Sequence, residues 1–250
     1  MTQKTILITG ASSGFGKAIA ESLAKEGAKL IITGRREDRL RALAAALGVP
    51  CHVLAFDMRD RAAMQAALAS LPKEFQAIDV LINNAGLALG LTKFDEGDYQ
   101  DFLTMVETNI LGLLAMTHAI LPGMRERGRG HIVNIASTAG NFHYPGAHVY
   151  GGSKAFVTYF SQALRADLLG ASIRVTNLEP GMAETEFSSV RFKGDATKAD
   201  AVYAGLKPME ARDVAEAVRW ALAQPAHVNI SRIEMMPTMQ APAGMAIHRE

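Results

Sequence analysis

The amino-acid sequence predicts an α/β fold, in which a doubly wound, open parallel sheet of about seven strands carries helices on both faces. Two observations support this prediction. Seven short runs rich in Ile, Val and Leu recur along the chain without polar alternation, as in strands that are buried on both faces. Longer segments with helical periodicity lie between these runs. Because strand and helix alternate from one end to the other, the strands are expected to run parallel.

The elements follow one another in a regular order. The predicted strands cover residues 5–9, 30–33, 52–56, 80–83, 131–136, 173–178 and 232–236. The predicted helices cover residues 16–26, 37–47, 61–71, 99–124, 153–168 and 211–223. Segment 182–208 lacks either pattern, and connections of this length in compact domains usually serve a function. We therefore predict one domain over residues 1–250, with 182–208 as a substrate-binding loop or lid.

Composition narrows the classes of function. The formal net charge is +1, which argues against nucleic acid or an anionic membrane surface as the main partner. The single cysteine, Cys51, excludes an internal disulfide and fits a reducing compartment. The N-terminal apolar run is short, and we expect neither a signal peptide nor a transmembrane segment of ~20 residues. The prediction is a cytoplasmic protein without a membrane partner.

Tyr150 and Lys154 are spaced to lie on one face of a helix. An ammonium close to a phenol would lower the pKa of the tyrosine from its usual value of about 10. Such a phenol can donate a proton to a carbonyl oxygen or accept one from a hydroxyl. Taken alone, the pair is common on helices, so its meaning depends on the other motifs.

A glycine-rich turn joins the first strand to the first helix. Glycines here allow a tight turn, a close approach of a diphosphate to the backbone, and close packing of helix on strand. A plain turn is the alternative. The turn residues predicted to contact a dinucleotide are Gly10, Ser12, Ser13, Gly14, Phe15 and Gly16.

Arg35 and Arg36 follow the second strand, where an arginine accommodates the 2′-phosphate of NADP. A planar guanidinium suits phosphate because it makes two charge-assisted hydrogen bonds. An ordinary basic helix start is the alternative. Asp57, after the third strand, either accepts from an adenine amino group or caps the helix that begins near residue 61.

The remaining strand ends carry small and polar residues. Asn84, Ala85 and Gly86 follow the fourth strand and suit the close approach of a cofactor. Asn109 lies within a long apolar helix, where a water-mediated link or a local break would satisfy its amide. The fifth and sixth strands end at Ser137 and at the rigid turn Pro180-Gly181, and this turn is predicted to carry the chain past a nicotinamide ring.

Two other site classes are disfavoured. Ser137 has no accompanying histidine–acid pair, which argues against a serine hydrolase. His131, His143 and His148 lack metal-ligand spacing, so no metal site is predicted.

With these motifs in register, the chain resembles the short-chain dehydrogenase/reductase family over nearly its whole length. The resemblance implies a Rossmann-like sheet, NADP(H) as cofactor, and a homotetramer. It implies that Tyr150 is the acid/base, that Lys154 lowers its pKa and holds the nicotinamide ribose, and that Ser137 binds the reacting oxygen. It further implies that Asn109 holds a relay water and that Thr185 lies near the carboxamide and diphosphate. Ser13 departs from the family, because many NADP-using members carry a basic residue there.

Four stretches outside the general motifs are similar to the NADP-dependent 3-hydroxy acid dehydrogenases, also described as serine dehydrogenases and malonic semialdehyde reductases. They begin at Asn84, Glu186, Pro225 and Glu234. The resemblance implies a small anionic substrate, with serine or 3-hydroxypropionate and malonic semialdehyde as the types.

A small anion needs a cationic anchor, and Arg191 or Lys193 is predicted to supply it; a solvated basic loop is the alternative. The same pattern is similar to sulfoacetaldehyde reductases, which make isethionate. A redox sensor that binds NADPH without turnover is a more remote alternative.

Overall fold

The seven predicted strands form one sheet in which all neighbours run parallel. The structure, a computed structural model, describes residues 4–242. The strand order is β3-β2-β1-β4-β5-β6-β9, so the strand order reverses between β1 and β4. The strands of this sheet are β1 (Thr5–Ile8), β2 (Lys29–Gly34), β3 (Cys51–Ala55), β4 (Ile78–Asn83), β5 (Gly130–Ile135), β6 (Ile173–Pro180) and β9 (Arg232–Met235). Ligands of such sheets bind at the carboxyl ends of the strands, beside this reversal.

Helices cover both faces of the sheet. They are α1 (Gly14–Lys25), α2 (Glu37–Ala46), α3 (Arg61–Ala69), α4 (Tyr99–Val106), α5 (Leu113–Glu126), α6 (His148–Asp167), α7 (Phe187–Arg191), α8 (Ala196–Ala201) and α9 (Ala211–Ala223). The helix predicted to begin at residue 153 is α6, which begins at His148. Its first turns therefore include Gly151 and Gly152. At Gly151 a Cβ atom would lie 2.8 Å from the carbonyl oxygen of Ala139, so only glycine lets α6 pack this closely.

The core consists of two apolar layers separated by the sheet. In β1, Ile6 and Ile8 face the layer formed with α1 and α9, whereas Leu7 faces the layer formed with α5 and α6. All three side chains are fully buried. This explains why the strands appear in the sequence as continuous apolar runs: a strand enclosed on both faces has no polar side.

The predicted helix 99–124 is interrupted. Residues Glu107–Gly112 form a π-helical turn between α4 and α5. Gly112 lets this turn pack against the loop that precedes α3. A Cβ atom at Gly112 would be 3.0 Å from the carbonyl oxygen of Met58 in that loop. The break anticipated as one way to satisfy Asn109 is therefore present.

By length and composition the helical segment Tyr99–Glu126 could cross a membrane, with 28 residues and a mean hydropathy of 1.3 over its most apolar window. The sequence analysis missed this property. Met116 and Met124 of this segment are fully buried in the core layer formed with α5 and α6. Packing in the protein core therefore accounts for part of the apolar character, since 44% of that window is buried.

Segment 182–208 is more ordered than its sequence pattern suggests. Two-residue strands β7 (Ala183–Glu184) and β8 (Met209–Glu210) pair in parallel and close its base. Between them lie α7 and α8, and the hydroxyl of Tyr203 bonds to Ser188 Oγ at 2.8 Å and to the carbonyl oxygen of Ala183 at 3.0 Å. Several contacts that hold the segment together come from within it, and we call it the lid.

Candidate active site

A cavity of about 530 Å³ lies at the carboxyl ends of the strands, between the sheet and the lid. Most of the residues predicted from the sequence line it: Gly10, Ser12, Ser13, Gly14, Phe15, Arg35, Arg36, Asp57, Asn84, Ala85, Gly86, Ser137, Tyr150, Lys154, Pro180, Gly181, Thr185 and Arg191. Three predicted residues, Gly16, Asn109 and Lys193, are not part of its wall. The structure thus brings residues from eight separate segments to one site.

The glycine turn forms a cradle at the N-terminus of α1. Gly10 and Gly14 have φ values of 69° and 52°, a backbone conformation that favours glycine. Gly16 is behind the wall, where a Cβ would lie 2.6 Å from the side-chain nitrogen of Asn84. The helix therefore packs tightly on the strand ends, and its N-terminal N–H groups can face an anion.

The two arginines after β2 differ in their partners. Arg36 donates to Ser12 Oγ and Ser13 Oγ at 3.0 and 2.6 Å and pairs with Glu186 at 2.8 Å. The guanidinium of Arg35 lies 3.9 Å from the Asp57 carboxylate, and 61% of its side chain is exposed. Both line the cavity, and Arg35 has the greater freedom to turn toward a ligand.

Asp57 does not cap α3, so that alternative was wrong. Its carboxylate accepts hydrogen bonds from Arg59 N and Nη2 at 2.9 and 2.8 Å, and the side-chain bond from Arg59 lowers the pKa of Asp57. The cap is Asp60, whose carboxylate accepts from Ala63 N at 2.9 Å. The contact of Asp57 with an adenine remains a prediction.

Side-chain amides fix the end of β4. The Asn84 amide donates to the carbonyl oxygens of Thr9 and Gly10 at 2.8 and 3.1 Å, which joins β4 to the glycine turn. The Asn83 amide donates to Asn134 Oδ1 at 2.9 Å, which joins β4 to β5. Side-chain amides therefore tie the end of β4 to the segments on either side of it.

Asn109 supports the cavity from behind. Its Oδ1 accepts from Leu87 N at 2.9 Å, and its Nδ2 donates to the carbonyl oxygen of Leu87 at 2.8 Å and to Ser153 Oγ at 3.0 Å. The side chain thus holds both the chain after β4 and the start of α6. Gly86 lies between this amide and Lys154, since a Cβ there would be 3.2 Å from Lys154 Nζ. The relay water implied for Asn109 stays a prediction.

Tyr150 and Lys154 are both buried on one face of α6. The Lys154 ammonium donates to the carbonyl oxygen of Ile135 at 2.8 Å and lies 5.9 Å from the centre of the Tyr150 ring. Ser137, at the end of β5, accepts from Ala139 N at 3.1 Å. A hydroxyl, a phenol and an ammonium therefore meet at the bottom of the cavity.

The expected lowering of the Tyr150 pKa by Lys154 is not what this structure favours. Burial raises the pKa of Tyr150 to about 12, and the hydrogen bond with Ser137 opposes that rise, with Arg191 opposing it more weakly. Burial also lowers the pKa of Lys154 to about 8. The physical reason is that desolvation of the phenolate outweighs the nearby charge. Tyr150 is accordingly protonated at neutral pH.

The lid supplies the opposite wall. At Gly14 a Cβ would lie 3.5 Å from Thr185 Cβ, so this lid residue closes directly over the glycine turn. Thr185 Oγ1 accepts from Phe187 N at 3.2 Å. Gly181, after β6, is fixed by a bond from its N–H to the carbonyl oxygen of Met235 at 2.8 Å.

The two candidate anchors for the substrate anion differ in position: Arg191 lines the cavity and Lys193 lies outside it. The guanidinium of Arg191 lies 5.1 Å from the Tyr150 ring, and its Nη2 donates to Tyr144 Oη at 3.1 Å. Its Nε is buried without a hydrogen-bond partner among residues 4–242. Lys193 instead pairs with Asp101 at 2.8 Å outside the cavity, so the structure does not support it as an anchor.

The sequence analysis missed several residues of the cavity wall, among them Tyr144 and Glu186. Tyr144 lies on the cavity wall through its contact with Arg191, and Glu186 lies there through its contact with Arg36. Neither belongs to a spaced motif. A signal for Glu186 was nonetheless available, since it immediately follows Thr185.

The described part of the chain contains no group of three or more His, Cys, Asp or Glu side chains that could hold a metal ion. His131 is buried and shares a hydrogen bond with Thr176 Oγ1 at 2.8 Å, and burial lowers its pKa to about 3. His148 packs edge-on against Phe94 and Phe102.

Comparisons with known proteins agree with this geometry. The family model for short chain dehydrogenase matches residues 4–196. The chain is 51% identical over 245 residues to the NADP-dependent 3-hydroxy acid dehydrogenase YdfG of Salmonella typhi, covering 98% of this chain and 99% of that protein. It is 50% identical to the serine 3-dehydrogenase of Rhizobium radiobacter over 246 residues, covering 98% of each.

A solved structure is similar over the same length. The closed form of serine dehydrogenase complexed with NADP+ superposes with a TM-score of 0.96 at 50% identity, covering 98% of this chain and 100% of that one. The strands and helices that position the cavity residues therefore have counterparts in a protein that binds a phosphorylated dinucleotide.

Proposed function

This chain belongs to the short-chain dehydrogenase family, and on that premise we propose that it is an NADP-dependent enzyme that interconverts a small 3-hydroxy acid and its carbonyl form. Serine and 3-hydroxypropionate are the expected alcohols, and malonic semialdehyde is the expected type of carbonyl. The support is the identity of about half of all residues to dehydrogenases named for 3-hydroxy acids and for serine.

The residues present fit NADP(H). The glycine cradle presents backbone N–H groups to a diphosphate, and Arg35 with Arg36 offers cations where a 2′-phosphate belongs. The close packing of Gly16 against Gly10 and Asn84 supports this fit, because only glycine keeps the turn and α1 this close together. When bound, the nicotinamide accepts or supplies a hydride at C4, while the protein supplies orientation and a proton.

Tyr150 carries the proton. In carbonyl reduction the phenol donates its proton to the carbonyl oxygen, while the carbonyl carbon receives the hydride. In alcohol oxidation the phenolate accepts the hydroxyl proton. The high pKa of Tyr150 suits carbonyl reduction at neutral pH, since the phenol then carries the proton that it donates.

Ser137 and Lys154 position this transfer. The Ser137 hydroxyl lies close to the phenol on the cavity wall, so it can bond the same substrate oxygen and hold it against Tyr150. The Lys154 ammonium is fixed by the carbonyl oxygen of Ile135, with its remaining N–H groups available for the cofactor ribose.

Arg191 binds the carboxylate of the substrate. It lies against the Tyr150 ring in the cavity, and its Nε has no partner within the described residues. A three-carbon hydroxy acid separates its hydroxyl from its carboxylate by two carbon atoms, which suits an acid/base group next to a cation. Tyr144 holds the guanidinium from the other side and so fixes its direction.

The contact between Arg191 and Tyr150 is the observation that carries this proposal, and it can be tested by removing the charge from the substrate. NADP+-dependent oxidation of 3-hydroxypropionate should exceed that of 1-propanol by about 100-fold in kcat/KM, the value of a charge-assisted hydrogen bond pair. Equal rates for the two alcohols would contradict an anionic substrate.

Isethionate belongs in the same assay, because a sulfonate needs a similar cation at a similar distance. The geometry of the cavity favours neither anion, whereas the relatives named above favour the carboxylate. The non-catalytic alternative has no support, since phenol, hydroxyl and ammonium converge in one cavity.

We further propose a homotetramer in the cytoplasm. The large apolar residues Leu111, Tyr159 and Trp220 are exposed on the surface of the described chain. Apolar surface of this kind commonly meets a partner. Sedimentation of the purified protein would show a species of four chains; a monomer would contradict this part of the proposal.

A further inference from the structure

The carboxylate of Glu186 joins the lid to two arginines at the start of α2, Arg36 and Arg39. Glu186 Oε2 lies 2.8 Å from Arg36 Nη1, and Glu186 Oε1 lies 2.7 Å from Arg39 Nη1. Each oxygen of the carboxylate therefore has its own arginine. Arg36 and Arg39 are three residues apart, so their side chains project from the same side of the helix start.

The contact occupies the part of the cavity that selects the cofactor. Arg36 lies on the cavity wall beside Ser12 and Ser13, and Glu186 lies on the facing wall contributed by the lid. A phosphate on the 2′-oxygen of an adenosine would require the same guanidinium donors. A carboxylate resembles a phosphate in being an anionic acceptor of paired N–H bonds.

We propose that Glu186 is an internal counter-ion of the 2′-phosphate subsite, which competes with that phosphate for Arg36 and Arg39 and so limits the preference for NADP(H) over NAD(H). This inference rests on the proposed NADP(H) cofactor. It assigns Glu186 as a specificity-determining residue. It also assigns Arg39 as a second cation beside the subsite, whose charge Glu186 offsets.

The two ion pairs of Glu186 are weak enough for a bound phosphate to replace the carboxylate. Glu186, Arg36 and Arg39 have exposed side-chain fractions of 46%, 38% and 47%, and ion pairs with this exposure are weak. A phosphate monoester carries a charge of about −1.5 to −2 at pH 7 and three acceptor oxygens, so it attracts the arginines more strongly than one carboxylate. The hydrogen bond from Arg36 lowers the pKa of Glu186, which keeps the competing charge in place at neutral pH.

Calorimetric titration with two adenosine ligands isolates this competition from turnover. Adenosine 2′,5′-bisphosphate carries the 2′-phosphate and 5′-AMP lacks it, and neither reaches the nicotinamide side of the cavity. Glu186→Gln should tighten binding of the bisphosphate by about 3–10-fold, the range of a partly exposed ion pair, and leave 5′-AMP within about twofold.

Glu37→Gln is the matched control. It removes an equal charge from the same helix start, but Glu37 pairs with Arg41 and touches neither Arg36 nor Arg39. Both ligands should bind this variant as they bind the wild type. Arg39→Gln supplies a second test: it should weaken the bisphosphate more in the Glu186→Gln background than alone, because Arg39 is released only when Glu186 is neutral.

An unchanged ratio of the two dissociation constants in Glu186→Gln would overturn the inference. Weaker binding of both ligands would also overturn it, and would show that Glu186 holds the lid closed over any adenosine. If the wild type binds both ligands equally, the proposed cofactor fails as well. A wild type that prefers the bisphosphate, together with an unchanged ratio in the variant, removes the role of Glu186 alone.

Discussion

The guanidinium of Arg191 lies 5.1 Å from the centre of the Tyr150 ring and is held there by Tyr144. The lid thus places a cation directly beside the buried phenol that lies at the end of the cavity. On the proposed function, the substrate that reaches both groups is a small molecule with an anion near its reacting oxygen. The relationship between these two residues links the chemistry of the site to the choice of substrate.

Arg191→Ala should raise KM for 3-hydroxypropionate by about 10–100-fold, because a charge-assisted hydrogen bond to the substrate is lost. Binding of NADP+, followed by quenching of protein fluorescence, should change little. Lys193→Gln is the matched control, since Lys193 is two residues away and pairs with Asp101 outside the cavity. A similar rise of KM in both variants would mean that the lid acts through its overall charge.

Tyr150→Phe should lower kcat by at least about 100-fold in both directions, since the variant cannot donate or accept the proton. NADPH binding should persist, because the ring and its packing against Phe187 are retained. Tyr159→Phe provides the control on the same helix, as 76% of Tyr159 is exposed. Turnover in Tyr150→Phe close to that of the wild type would assign the proton to another group.

Arg35→Gln should reduce the preference for NADP+ over NAD+ by about 10-fold or more in kcat/KM, because a phosphate then loses a bidentate partner. The exposed guanidinium of Arg35 lies beside the cavity and makes only a 3.9 Å contact with Asp57. Arg41→Gln, which removes a charge that pairs with Glu37, should leave the preference intact. Steady-state kinetics with both dinucleotides would decide between a phosphate contact and a general effect of charge.

Lys154→Met should alter how stability depends on pH. Burial lowers the pKa of Lys154 from 10.5 to about 8, so between these values the unfolded chain binds a proton that the folded chain releases. The free energy of unfolding of the wild type should therefore rise with pH above about 8 relative to Lys154→Met, by roughly 2–3 kcal/mol at pH 10.

Urea unfolding at pH 7 and pH 10 would measure this difference. Lys17→Met, at an exposed position of α1, should follow the wild type at both pH values. An equal response of all three proteins would show that the ammonium of Lys154 is well solvated in the folded state.

Much of the site was predictable because it lies at strand ends. A buried strand appears in the sequence as a continuous apolar run, so the residues that follow each run could be identified and placed at one edge of the sheet. Ser137 and the glycine turn were found in this way, whereas Tyr150 was found from its helical spacing to Lys154, and all of them line one cavity. Local pattern and the topology of parallel sheets were sufficient for these residues.

Features that depend on distant contacts were not predictable. The amide of Asn109 is satisfied by the backbone of Leu87, 22 residues away, and the π-helical turn places it there. Glu186 meets Arg36 across 150 residues. The pKa of Tyr150 depends on burial, which the spacing from Lys154 does not reveal.

We propose above all that this enzyme reduces a carbonyl that one methylene group separates from a carboxylate, and one comparison tests this most directly. Rates of NADPH oxidation would be measured side by side with malonic semialdehyde and with sulfoacetaldehyde and expressed as kcat/KM. We expect malonic semialdehyde to be preferred by at least about tenfold, a difference of ~1.4 kcal/mol in transition-state binding. A preference for sulfoacetaldehyde, or no reduction of either compound, would contradict the account.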